Sequence, residues 1–433
     1  MSSDHKKTIS YETYIEPDAL PRVQPRTRSE QPLDNDPDES FFIRTHQAFE
    51  IWFAQILTEL EYARLLLSQP PPNYVPESDV PRIEHHVRRA AAIFELIRQH
   101  LPLLETLSTT SFYNFRKYLF GASGTQSHRF REVEWLMGLL DNGLLRYTEQ
   151  KLDLEHKLSP ESKKPKDKVS KKRFGKRSAT SYLSQSEREY DSLMQYQDQW
   201  NKKWSNDLQD FGPRDFEGMT ATRKALRQRM LDIQDNGTLR GRAIQWLGRT
   251  AFPAKRSGRP HSKYSELFAE QFQDAYMVAY ANDLHGLGRL EQMKSIEIKR
   301  LERDAARRAR FFLNEPHRRA IVFLLQFSNQ PLLAWPASLV EALLELDEAF
   351  ANWRDRHIAM VSRVLGGGRI STLGAEGSGL PYLRGTLGKR VFPEIWDARS
   401  YMLSRDEAKD IYGAERLRYY GFLREKTSPS QED

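Results

Sequence analysis

Cysteine is absent from the 433-residue chain. Without thiols the protein cannot form disulfides, zinc–thiolate sites, iron–sulfur clusters or a thiolate-ligated haem. Any metal chemistry must therefore use histidine, a carboxylate or a bound cofactor. Eleven histidines are available for such a role.

Long hydrophobic runs are also missing. The longest uninterrupted apolar run covers residues 320–325, which is far too short to span a bilayer. The N-terminal residues MSSDHKKTISYE lack the apolar segment of a signal peptide. A hydrophobic content of 39% nevertheless suffices for a folded core. We therefore expect a globular protein in the cytoplasm.

The excess of positive charge is confined to one segment of the chain. Residues 157–177 contain ten lysines or arginines against Glu161 and Asp167, a net charge of +8, whereas the whole chain carries +7. A segment of this composition buries too little apolar surface to fold alone. We predict a disordered basic insertion at residues 151–185. It serves either as a solvated linker or as an electrostatic contact with nucleic acid or another acidic surface.

Apolar residues recur every three or four positions, and no segment shows the alternation that is typical of strands. We therefore predict an all-α fold. The clearest pattern covers residues 339–365, in which His357 belongs to an apolar stripe with Leu339, Leu343, Leu346, Phe350, Trp353, Met360 and Val364. A buried imidazole needs a hydrogen-bond partner, a metal or a cofactor. His357 is therefore either a hydrogen-bonded core histidine or a ligand.

A second histidine, His46, lies on the apolar stripe of a helix that is predicted to begin with Asp36 as the N-cap and Pro37 as its first residue. Two histidines on apolar helix faces suit a buried prosthetic group with one histidine as axial ligand. Arg116 shares an otherwise apolar helix face with aromatic residues, so its guanidinium needs an anion. That anion is either a substrate carboxylate or a helix carboxylate such as Glu50.

Several of these segments resemble the tryptophan 2,3-dioxygenase family. The distal-histidine helix of that family resembles residues 41–57, FFIRTHQAFEIWFAQIL. Its substrate-carboxylate segment resembles residues 112–119, FYNFRKYL, followed by ASGTQS at 122–127. Its proximal haem helix resembles WRDRH at residues 353–357 and the turns that follow. Residues 11–15, YETYI, are similar to its N-terminal arm, which reaches into a neighbouring subunit's active site.

The resemblance implies a single helical haem domain at residues 38–433, preceded by an arm at residues 1–37 that docks on a neighbouring subunit of a homotetramer. His357 would be the proximal ligand of haem b iron, and His46 would be the distal histidine that contacts the substrate indole N–H. The other implied site residues are Phe42 and Phe112 around the indole, Arg116 and Thr372 at the carboxylate, Leu119 and Ser123 on the haem side, and Tyr11 and Tyr14 from another subunit.

The reaction implied by the resemblance inserts both atoms of O2 across the indole C2–C3 bond of L-tryptophan or a close derivative. The product is N-formylkynurenine, within tryptophan catabolism by the kynurenine pathway. The sequence departs from the family in one loop, where the family has Gly-Thr-Gly-Gly-Ser-Ser-Gly and this chain has TLGAEGSG at residues 372–379. The departure either displaces Thr372 or replaces the family's threonine by Gly374, and it adds Glu376.

The changed loop supports an alternative function, because specificity resides in the groups that pair with a substrate's polar ends. In that alternative, the same fold and haem carry out mono-oxygenation of a modified tryptophan or tyrosine in specialised metabolism. A third interpretation is a helical scaffold that has lost haem and binds nucleic acid or a partner through the basic segment. Retention of both histidines argues against it, since a scaffold would be more stable with apolar residues there.

Overall fold

The computed structural model describes residues 37–68, 75–116, 127–139, 236–251, 262–288, 293–366 and 387–408, with isolated residues at 228–229, 232–233, 383–384 and 411. Within these ranges the chain is helical and contains no strand, which confirms the all-α prediction. The helices are α1 (Pro37–Leu67), α2 (Val80–Leu104), α3 (Thr109–Arg116), α4 (His128–Met137), α5 (Leu239–Ala251), α6 (Ser262–Gly286), α7 (Ser295–Leu313), α8 (Pro316–Gln326), α9 (Pro331–Leu365) and α10 (Pro393–Arg399).

Helix α2 forms the centre of the core, because it packs along α9 and also against α1. Its inward face is an apolar stripe, on which residues such as Ile83, Val87 and Phe94 are completely buried. Helices α1 and α9 meet through large aromatic side chains, with the ring centroids of Phe53 and Trp353 5.8 Å apart. This arrangement directs the two histidine-bearing helices towards a common interior.

Helix α9 is longer than the apolar stripe suggests, since it begins at Pro331 rather than at Leu339. Proline is well tolerated at the start of a helix, where its missing N–H has no intrahelical partner. The helix ends at Gly366, whose positive φ of 67° suits glycine and whose N–H bonds to the carbonyl of Ser362 at 3.0 Å. His357 therefore lies in the last third of a 35-residue helix, before its capped C-terminal end.

Helices α6 and α7 pack against each other, and the chain between them breaks after Gly286. Helix α8 follows, and its residues 320–324 are fully buried, as expected from their continuous apolar run. Among the described residues, no helix is both long and apolar enough to cross a membrane.

Contacts divide the chain into one unit made of residues 1–137 and 236–433 and a second made of residues 138–235. All ten helices given above belong to the first unit. The structure describes only a few residues of the second, including the ion pair between Arg229 and Asp232 at 3.1 Å. The arm at residues 1–37, apart from its last residue, and the insertion at residues 151–185 lie outside the described residues, so both domain assignments stay predictions.

Candidate active site

His357 is a polar residue on the apolar face of α9. Its imidazole stacks on the indole of Trp353 one turn earlier, with an interplanar angle of 2° and ring centroids 5.3 Å apart. Burial, together with a smaller effect of the nearby imidazole of His46, lowers the pKa of His357 to about 4. No residue in the described part of the chain hydrogen-bonds to this ring. His357 is therefore a neutral imidazole with an available lone pair at neutral pH.

His46 on α1 has a tautomer that its surroundings define. Nδ1 lies 2.7 Å from the carbonyl oxygen of Phe42, one turn earlier. A carbonyl only accepts hydrogen bonds, so Nδ1 carries the proton and Nε2 of the neutral ring is an acceptor. Desolvation lowers the pKa of His46, whereas the bond to Phe42 and the charge of Glu50 raise it. The net effect is a lowered pKa, which keeps Nε2 unprotonated at neutral pH.

Glu50, one turn after His46, forms an ion pair with Arg129 of α4 at 3.4 Å. The helix carboxylate that the sequence suggested as a partner for Arg116 thus has another cation beside it. Glu50 also contributes to the electrostatic environment of His46, because its charge favours the protonated imidazole.

The histidines come from distant parts of the sequence but lie close together in the fold. The ring contact between Phe53 and Trp353 joins their two helices, and the charge of His46 is one of the causes that lower the pKa of His357. The described residues include no group of three or more histidine, aspartate or glutamate side chains that could hold a metal ion by themselves. A single histidine ligand combined with a cofactor remains compatible with this geometry.

Aromatic rings from α1 and α3 form an apolar wall beside His46. Phe42 lies 4.1 Å from the His46 ring, 5.6 Å from Phe112 and 5.3 Å from Phe115, measured between ring centroids. The cluster around Phe112 and Phe115 also contacts Val364 and Leu365 at the end of α9. Phe42 and Phe112, the two residues expected at the indole, are thus adjacent to each other, and Phe42 also contacts the expected distal histidine.

Arg116 is the last residue of α3, the helix that carries Phe112 and Phe115. Its guanidinium carbon lies 6.0 Å from the centroid of the Tyr113 ring. The short helix therefore connects a cationic end to an aromatic wall. Such an arrangement can bind a molecule that has an aromatic body and a carboxylate.

The other expected site residues, Tyr11, Tyr14, Leu119, Ser123 and Thr372, lie outside the described residues. Their assignments stay predictions from the family resemblance.

Glu105 is a neighbouring residue that sequence reasoning missed. It follows α2, and it pairs with Arg356 at 2.6 Å and with Arg363 at 3.6 Å, both on α9. The guanidinium of Arg356 lowers the pKa of the Glu105 carboxyl below its usual range. The spacing of seven residues places the two arginines on one side of α9, which was the available signal in the sequence.

Comparisons with known proteins show which family the chain is similar to. A family model described as tryptophan 2,3-dioxygenase matches residues 2–230 and 278–402. The chain is 29% identical over 406 residues to "Tryptophan 2,3-dioxygenase 2" from Ralstonia nicotianae, covering 94% of this chain and 96% of that protein. It is also 29% identical over 418 residues to "Tryptophan 2,3-dioxygenase" from Sorangium cellulosum, covering 96% of this chain and 88% of that protein.

Proposed function

Because the chain belongs to the tryptophan 2,3-dioxygenase family, whose members are haem-dependent oxidoreductases, we propose that it is a haem b-dependent dioxygenase acting on L-tryptophan or a close derivative. The proposed product is N-formylkynurenine, formed by insertion of both atoms of O2 across the indole C2–C3 bond. The single observation that carries the proposal is the pair of neutral, desolvated imidazoles of His46 and His357 on helices α1 and α9.

The residues around His357 fit a haem ligand. Its imidazole is neutral and has no hydrogen-bond partner among the described residues, and the buried indole nitrogen of Trp353 also lacks one. A buried donor without a partner, such as this indole N–H, is costly in an apolar interior unless a bound group contacts it. His357 would hold the iron from one side. Haem iron, when bound, supplies the O2-activating chemistry that the protein side chains themselves lack.

His46 would orient the substrate through Nε2, which can accept a hydrogen bond from the indole N–H because Nδ1 is already committed to Phe42. Phe42 and Phe112 would pack on the indole and exclude water from it. Arg116 would bind the substrate carboxylate through a charge-assisted hydrogen bond. These contacts would hold the indole in one orientation, and such positioning accounts for much of the rate gain in reactions of two bound molecules.

We extend the proposal to the residues outside the described ranges on the strength of the resemblance alone. Thr372 would bind the polar end of the substrate, Leu119 and Ser123 would line the haem, and Tyr11 and Tyr14 would complete the site of a neighbouring subunit. These last two roles require an oligomer, for which we propose a homotetramer located in the cytoplasm.

The proposed reaction is tested by identifying the product that the purified, reduced protein forms from L-tryptophan and O2. Mass spectrometry should detect a product with two added oxygen atoms, both derived from labelled O2. A product with one added oxygen would replace the proposal by mono-oxygenation, which the changed loop at residues 372–379 favours. If L-tryptophan remains unchanged while tyrosine or a substituted tryptophan is oxidised, the protein has a different substrate.

Haem ligation is tested separately from turnover. The wild type should show the Soret band of a histidine-ligated haem, and His357→Ala should lose it. His100→Ala is a matched control, because His100 also contacts the aromatic cluster through Phe49 at 6.2 Å but is not a proposed ligand. Loss of the band in His100→Ala alone would contradict the assignment of His357.

A further inference from the structure

Trp353 holds the ring of His357 in one plane. The two rings are one helical turn apart and almost exactly parallel, with 2° between their planes. A histidine ring can rotate about its bond to Cβ, so the plane of an isolated imidazole on a helix is not fixed by the backbone. Contact with a flat indole surface restricts that rotation, because other orientations would lose the stacking contact.

The indole of Trp353 is itself fixed by neighbours on two other helices. Phe130 of α4 lies 4.8 Å from it, and Phe53 of α1 meets it edge-on at 87° with 5.8 Å between centroids. Only 7% of Trp353 is exposed. The orientation of the His357 ring therefore depends on three helices rather than on α9 alone.

Metal-binding histidines are usually oriented in another way. The ring nitrogen that does not bind the metal donates a hydrogen bond to a carboxylate, a backbone carbonyl or water, and this bond fixes the ring plane. Within the described ranges, no residue accepts such a bond from His357. The aromatic stack is the contact in the described structure that can take its place.

We propose that Trp353 is a positioning residue that fixes the plane of the His357 imidazole by ring stacking, in the role that a hydrogen-bond acceptor has for other haem-ligating histidines. This inference rests on the proposed function, because it assumes that His357 ligates haem. It assigns the effect to the flat face of the indole. The indole N–H, which is buried without a partner in the described residues, is not required for it.

The test compares wild-type holoprotein with Trp353→Phe and Trp353→Met. Phenylalanine keeps a flat ring but has no N–H, whereas methionine fills the space without a ring face. The ferric proteins are saturated with free imidazole and examined by electron paramagnetic resonance, because the spread of the low-spin signal depends on the angle between the two ligand ring planes. Haem loss to an excess of apomyoglobin is measured in parallel.

Wild type and Trp353→Phe should each give one narrow low-spin signal and similar rates of haem loss. Trp353→Met should give a broadened or split signal and haem binding weakened by about 10-fold, the usual lower limit for loss of an orienting contact. Phe94→Met is the matched control: Phe94 is fully buried in the same core but contacts Phe350, not His357, so its signal should stay narrow.

Equal broadening in Trp353→Phe and Trp353→Met would overturn the inference, since the N–H would then be the feature that matters. A narrow signal in Trp353→Met would also overturn it. Should Trp353→Met fail to fold, Trp353→Phe still decides, because a broadened signal in that variant contradicts a role for the ring. A wild type without histidine-ligated haem would instead refute the proposed function, so the two failures are distinguishable.

Discussion

At the scale of single residues, one hydrogen bond to the backbone determines the tautomer of His46. Its Nδ1 donates to the carbonyl of Phe42, which leaves Nε2 as the only acceptor that the ring can offer to a substrate. The same histidine with a free Nδ1 could present either tautomer. The role proposed for His46 thus follows from a hydrogen bond within a single turn of α1.

Replacing His46 by alanine should remove discrimination for the indole N–H while haem stays bound. We expect the wild type to bind L-tryptophan about 10-fold more tightly than its benzofuran isostere, whose ring oxygen replaces the N–H, because Nε2 would lose its donor. His46→Ala should bind the two equally. Dissociation constants are measured from ligand-induced changes in the Soret band. Retained discrimination in His46→Ala, with normal haem content, would contradict the assignment.

The pH dependence of catalysis should respond to the charges around His46. Only the neutral ring accepts the indole N–H, so kcat/KM should be level above the pKa of His46 and fall as the pH drops through it. Burial lowers that pKa and the charge of Glu50 raises it. Glu50→Gln should therefore move the acidic limb to lower pH. Arg129→Gln removes the positive charge that is paired with Glu50, so the acidic limb should move to higher pH. Shifts of the same sign would refute this explanation.

The sequence predicts that His46 and His357 lie on the apolar faces of two helices, and in the structure they lie on helices α1 and α9. It does not predict the ring stacking of Trp353 on His357, although both residues belong to the same predicted stripe. Stripe membership specifies a helix face, whereas ring planes depend on contacts from other helices, here Phe53 and Phe130. Those contacts join residues far apart in the sequence, which periodicity does not reveal.

At the scale of helices, one buried carboxylate joins α9 to the segment that leads into α10. Asp347 is completely buried and accepts hydrogen bonds from the backbone N–H groups of Val391 and Phe392 at 3.0 and 3.1 Å and from Nε1 of Trp396 at 2.8 Å. Periodicity predicts α9 well, but an acid among its leucines gives no indication of which backbone it binds. The pairing of helices is thus less predictable than their existence.

Asp347→Ala should destabilise the protein by about 3 kcal/mol or more, because it leaves several buried donors unsatisfied. Asp347→Asn should cost less, since the amide oxygen can still accept. The free energy of unfolding is measured by urea denaturation. Glu341→Ala on the same helix is the control: its ion pair with Arg399 is 49% exposed on the glutamate side, so its loss should cost less than about 1 kcal/mol. Equal losses for Asp347→Ala and Glu341→Ala would contradict the role given to Asp347.

At the scale of the whole molecule, the excess positive charge and the described helices belong to different units of the chain. The described site residues and all ten helices belong to the unit made of residues 1–137 and 236–433. The excess positive charge is concentrated in residues 157–177, within the other unit. A basic isoelectric point near 9.2 would ordinarily suggest a nucleic-acid surface. Here it describes one segment, and it says little about the helical unit that holds the candidate site.

Deletion of residues 157–177 should therefore change the net charge of the protein without changing its catalytic activity. The shortened protein should keep the wild-type Soret band and turnover of L-tryptophan, because the deletion removes none of the described contacts around His46 and His357. Removing a net charge of +8 from a chain of +7 should abolish retention on a cation exchanger, together with any salt-sensitive binding to DNA that the wild type has. A variant of full length with its segment lysines changed to glutamine controls for the shortened chain. Loss of haem in both variants would show that the segment's charge supports the site, whereas loss in the deletion alone would assign that role to its length.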